Sequence, residues 1–159
     1  MNMRKADIVF FSRTGNTKVV GEKIFRLLAD HLETKLIEIK SKNYPYFIWL
    51  FLSFLPNLGV KILCEKVTSE LVFICFPKWT INCPPISTFL RHFNLKGKIV
   101  YLVITYGGFD EKRYAKYYQK KISKLSKEVK RILLVKRSEI QKGKLGEIRD
   151  WIKMVLQGF

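Results

Sequence analysis

The chain reads as an α/β domain built on one five-stranded parallel sheet, and three observations predict it. Short apolar segments of strand length recur five times, amphipathic helical stretches alternate with them, and the inner segments run apolar without alternating, as strands buried on both faces do. At 159 residues, 48% of them hydrophobic, the chain fills one core well and two poorly, so residues 1–159 are read as a single domain.

From Ala6 to Phe11 the chain runs largely apolar, which predicts a central first strand. Val19, Val20, Ile24, Leu27, Leu28 and Leu32 then recur at three- and four-residue spacing, which predicts an amphipathic helix over Thr17 to His31. Lys35 to Ile39 is the second strand. Leu71 to Phe76 is the third, again apolar on both faces, and Pro84 or Pro85 starts the helix behind it, with Ile86, Phe89, Leu90 and Phe93 turned inward. Lys98 to Thr105 is the fourth strand. Asp110 is placed to cap a lysine-rich helix from Glu111 to about Lys127. Val129 to Val135 is the fifth strand, and a last helix runs from near Leu145 to Leu156. A doubly wound sheet is the economical topology for this alternation.

Residues 44–64 must cross between the second and third strands. Within them Tyr44 to Pro56 is apolar all round, with Lys40, Lys42, Lys61 and Lys66 at its flanks. Three readings are open, in this order: a buried crossover helix, a subunit interface, or a segment lying on an anionic membrane surface. It is far short of the roughly 20 residues that span a bilayer.

In an open α/β sheet, ligands bind beyond the carboxyl ends of the strands. Ser12-Arg13-Thr14-Gly15-Asn16-Thr17 follows the first strand there and opens a helix. Free backbone N–H groups, the helix dipole and closely spaced hydroxyls at that position favour an anion, and Gly15 permits the tight turn. The loop after the third strand contributes Pro77, Lys78, Trp79, Thr80 and Asn82. The loop after the fourth contributes Thr105, Tyr106, Gly107, Gly108 and Asp110.

These residues resemble the flavodoxin family. Ser12 to Thr17 is similar to that family's phosphate loop, a hydroxyl residue followed by any residue and Thr-Gly-x-Thr, and the order of elements follows the family over the whole chain. The resemblance implies a flavodoxin-like three-layer sandwich with strand order 2-1-3-4-5 and FMN as cofactor. It further implies that Ser12, Thr14, Asn16 and Thr17 bind the phosphate, that Arg13 and Gly15 supply backbone, and that Trp79 and Tyr106 flank the ring. The exposed N–H groups of Gly107 and Gly108 would meet its polar edge.

The net charge is +17, from 30 Lys and Arg against 13 Asp and Glu, which attracts anionic surfaces without bearing on fold. The leading function is an FMN-binding electron carrier that docks on an acidic redox partner. An NAD(P)H-dependent FMN or quinone reductase is the alternative within redox chemistry. A binding protein for anionic membrane or nucleic acid is the alternative outside it. Residues 111–144 hold 13 Lys and Arg against 3 Asp and Glu with Tyr114, Tyr117 and Tyr118 among them, but a solvated helix face accounts for this and no nucleic-acid module is visible. Three unspaced cysteines and two histidines give no metal site, and the N-terminus carries no secretory pattern, so a reduced, cytoplasmic protein of open oligomeric state is expected.

Overall fold

The computed structural model describes residues 3–159. Strand β1, Lys5–Phe10, is buried from its second residue on and lies inside the sheet. β2, Glu33–Glu38, pairs with it in parallel from Lys5↔Glu33 to Phe10↔Glu38. Two short strands follow, β3 at Lys40–Ser41 and β4 at Ile62–Leu63, which pair only with each other as an antiparallel ribbon. β5, Leu71–Pro77, β6, Ile99–Tyr106, and β7, Glu128–Lys136, complete the main sheet.

The order is β2-β1-β5-β6-β7, all parallel. In chain numbering this departs from the expected 2-1-3-4-5, because the ribbon β3–β4 stands between the second and third strands of the large sheet. Two-residue strands carry no periodicity to be read from sequence. The edge strands alternate exposed and covered residues, whereas β5 and β6 are buried almost throughout, as position in the sheet requires.

Successive side chains on a strand point to opposite faces. Ile8 and Phe10 join the core under helices α1, Asn16–Ala29, α5, Arg137–Gln141, and α6, Gly146–Gln157. Val9 and Phe11 join the core that also holds residues of α2, Tyr46–Ser53, α3, Pro84–His92, and α4, Glu111–Ser123. Asp7 interrupts the apolar run of β1 and is 1% exposed. Its carboxylate accepts the N–H groups of Thr68 at 2.8 Å and Ser69 at 3.0 Å and the Ser69 hydroxyl at 2.8 Å, fastening the entry to β5 against β1.

Several expectations are corrected. The crossover segment forms a helix, but not a buried one: Trp49 and Ser53 are its buried residues, while Phe47 and Phe51 are 69% and 66% exposed. α4 ends at Ser123, because the turn through Leu125 and Ser126 back onto Ile122 O must deliver the chain to β7. Asp110 does precede α4, but at φ 55° it makes no capping bond, and its carboxylate pairs instead with Arg113. Helix α5 has five residues, too few for a periodic pattern. Among the described residues no helix is long and apolar enough to cross a membrane.

Candidate functional site

The loops at the carboxyl ends of β1, β5 and β6 enclose a cavity of about 250 Å³. One wall is Arg13, Thr14, Asn16 and Thr17, and another is Pro77, Lys78, Trp79 and Thr80. Thr105, Tyr46, Leu50 and Arg137 complete it.

The first wall follows from local chemistry. Gly15 turns at φ 98°, a left-handed backbone that a side chain resists, and its N–H donates to Ser12 Oγ at 3.1 Å. Val19 donates the first helical bond, to Gly15 O at 3.1 Å. The N–H groups of Asn16, Thr17 and Lys18 therefore leave the helix end without a helical acceptor. Asn16 Nδ2 donates to Thr14 Oγ1 at 3.3 Å, which sets both side chains at the mouth. Thr17 is 2% exposed and shares a hydrogen bond of 2.7 Å with Thr105 Oγ1, joining the loop to the end of β6.

Arg13 contributes more than backbone. Its guanidinium lies 5.4 Å from the Tyr46 ring centroid, and its Nε is buried with no partner among the described residues. A donor stripped of water and left unpaired is costly unless something else meets it.

The second wall is aromatic. Trp79 stacks on Trp49 at 6.2 Å and 25°, tilts against Tyr46 at 5.9 Å and 39°, and holds a buried Nε1 without a partner. Lys78 is fixed by its N–H to Thr105 O at 2.7 Å, while Lys78 Nζ donates to Trp79 O at 3.1 Å and lies 5.7 Å from the Tyr114 ring. Thr80 Oγ1 shares a bond of 2.8 Å with Ser53 Oγ on α2. Arg13, Lys78 and Arg137 bring three positive charges to the cavity, and no carboxylate of the described residues lines it.

Other expected site residues stand elsewhere. Asn82 is fully buried: its amide donates to Leu55 O at 3.1 Å and Leu58 O at 2.8 Å, and its carbonyl accepts from Ser87 and, at 3.3 Å, from Tyr118. It shapes the loop and does not line the cavity. Tyr106 is half-buried at the end of β6, outside the lining residues, and burial raises its phenol above the ordinary value. Gly107 and Gly108 are exposed, and Asp110 is occupied by Arg113. Ser12 and Gly15 act through the loop's own bond.

Tyr46, Leu50 and Arg137 were not anticipated. Arg137 follows Lys136, which lies in register with Tyr106, so extending the fifth strand past Val135 was the available signal. Tyr46 and Leu50 sit in a helix with no polar face, where periodicity does not tell which residues turn toward the sheet. Among the described residues no group of three His, Cys, Asp or Glu is placed to hold a metal.

No known family model matches the chain. An uncharacterized protein of Archaeoglobus fulgidus is 43% identical over 151 residues, covering 95% of this chain and 98% of that one. Among solved structures, a Lactobacillus acidophilus flavoprotein in complex with FMN is similar with a TM-score of 0.68 at 22% identity, over 87% of this chain and 97% of its own. A Fusobacterium nucleatum flavodoxin bound to flavin mononucleotide gives 0.65 at 15% identity, over 99% of both chains. A flavodoxin from the domain Archaea gives 0.54 at 19% identity, over 94% of this chain and 99% of its own.

Proposed function

From a chain that belongs to one family with the Archaeoglobus fulgidus protein and has the flavodoxin-like fold, we infer an FMN-binding redox protein that carries electrons between partners. The observation that carries this reading is the pairing, in one cavity, of an anion-binding loop with an aromatic wall. The residues fit the group. The N–H groups of Asn16, Thr17 and Lys18, the Thr14 hydroxyl and the unpartnered Arg13 Nε supply donors for a phosphate at one end. Trp79, Tyr46 and Pro77 supply apolar surface against which a ring can lie.

Bound FMN supplies the electron-accepting ring. The chain's own residues do the rest. The loop fixes the phosphate, Thr17 and Thr105 hold the loop to the sheet, the aromatic wall keeps water from one side, and Lys78 and Arg137 make the surroundings positive. A positive surround favours added negative charge on a ligand, so reduction of FMN here is easier than in a carrier with an acidic site. The net charge of +17 steers encounter with an acidic redox partner, at a rate that falls as salt rises.

Tryptophan fluorescence titrated with FMN tests the reading. Saturable quenching is expected, weakened in Thr14→Ala, a substitution at an exposed side chain that leaves the fold intact. Absence of quenching and of retained flavin absorbance in the wild type refutes it.

A further inference from the structure

Helix α2 carries an apolar face that no other described residue covers. No charged residue occurs between Lys42 and Lys61. Trp49 and Ser53, one turn apart, are buried against the domain. Phe47 and Phe51 are 69% and 66% exposed, and Phe54 and Leu55, 53% and 41% exposed, continue their line into the turn that bonds back to Phe51 and Leu52. This three- and four-residue spacing sets them in one stripe on the side opposite Trp49 and Ser53.

The stripe is held outward. Ser53 O accepts the N–H groups of Ile81 at 3.1 Å and Asn82 at 2.9 Å, and the Asn82 amide holds Leu55 O and Leu58 O. Basic side chains stand at the β3–β4 ribbon, on the Trp49 side of the helix. Lys42 lies 5.6 Å from the Tyr44 ring, Lys40 and Lys42 line a hollow with Trp49 and one carboxylate, Glu38, and Lys61 flanks Leu63, which is 70% exposed.

We propose that α2 docks this protein on an anionic lipid bilayer. The helix lies in the plane of the interface, with Phe47, Phe51, Phe54 and Leu55 among the acyl chains and Lys40, Lys42 and Lys61 at the headgroups. Its eight residues fall far short of a span. The occupant follows from chemistry: an apolar stripe of Phe and Leu suits acyl chains, and the lysines of the neighbouring ribbon, on a chain of net charge +17, suit headgroup phosphates. A second copy would bring together two chains of charge +17 each. Tyr46 and Leu50, on the same helix, line the cavity, so docking brings the cavity wall beside the lipid surface. The proposal stands whether or not the cavity holds FMN.

Flotation of the full chain with vesicles tests it, using phosphatidylglycerol mixed with phosphatidylcholine, and phosphatidylcholine alone. The wild type is expected to float with the mixed vesicles at low salt and to remain below with the neutral ones. Phe47→Ser with Phe51→Ser should weaken partitioning on the order of a hundredfold, with unchanged melting and unchanged FMN titration, since neither residue lines the cavity. Lys40→Glu with Lys42→Glu, at exposed positions that do not endanger folding, should weaken it by at least roughly 25-fold. A wild type that stays below with anionic vesicles overturns the proposal, as does either double variant floating like the wild type. A wild-type dimer that the Phe variant dissociates, without flotation, assigns the face to a second copy and overturns it too.

Discussion

Replacing Arg13 by Gln separates phosphate recognition from ring recognition. The guanidinium lines the cavity beside Thr14 and Asn16 with its Nε buried and unpaired, so a phosphate seated there gains a charge-assisted bond that no other protein group uses. Such a bond is worth about 1.5–3 kcal/mol, which raises the Kd for FMN roughly 10- to 150-fold when it is lost. The substitution also removes the cation–π contact with Tyr46, worth about 0.5–1 kcal/mol, but that loss acts on any flavin alike. Riboflavin, which lacks the phosphate, therefore serves as the internal control. Titrating both ligands against both proteins by flavin fluorescence, the FMN-to-riboflavin preference should fall by the stated factor while riboflavin binding moves by no more than about fivefold. Equal weakening of both ligands would show that Arg13 only shapes the wall around Tyr46. No change in either would place the phosphate elsewhere.

Asn82→Ala strips the carbonyls of Leu55 and Leu58 of their buried donor and should cost about 2–4 kcal/mol, seen as a fall in Tm of roughly 5–15 °C by circular dichroism; a shift under about 2 °C contradicts the role given to it. Thiol labelling should divide the cysteines. Burial, then Glu65, pushes Cys64 up to about 11, so its labelling is slow at pH 8 and climbs about tenfold per pH unit toward that value as thiolate forms, whereas Cys75 and Cys83, pushed higher by burial, react only after unfolding. More than one thiol reacting in the native protein at pH 8 would contradict the packing. Lys78→Glu replaces a positive charge on the cavity by a negative one and should shift the midpoint of bound FMN more negative by tens of millivolts on the order-of-magnitude Coulomb scale; an unchanged or raised midpoint in a redox titration opposes the electrostatic account.

The site was legible where one loop makes it. Ser12 to Thr17 shows through residue type alone where the cavity's first wall lies, because the hydroxyls, the turn glycine and the helix start are neighbours in sequence. Side-chain direction was not legible. Arg13 offers its guanidinium as well as backbone, Asn82 turns into the protein to bind Leu55 and Leu58, and Asp110 spends its carboxylate on Arg113. Each outcome depends on partners at hand only after folding, for Asn82 some 24 to 27 residues away.

By itself the sequence determined the parallel sheet, since a strand buried on both faces must be apolar throughout and the flanking helices must each carry an apolar stripe. It likewise determined that a hydroxyl-rich loop with a turn glycine follows β1 and opens α1. Only the tertiary structure decided what residues 44–56 do. A helix apolar on every side holds no record of which side faces inward, and that choice was made by Trp49 stacking on Trp79 and by Ser53 bonding to the Thr80–Asn82 loop. Those contacts turned Tyr46 and Leu50 to the cavity and left Phe47 and Phe51 to the solvent. Periodicity reports a boundary between apolar and polar faces, and where a helix has no polar face the fold alone assigns the sides.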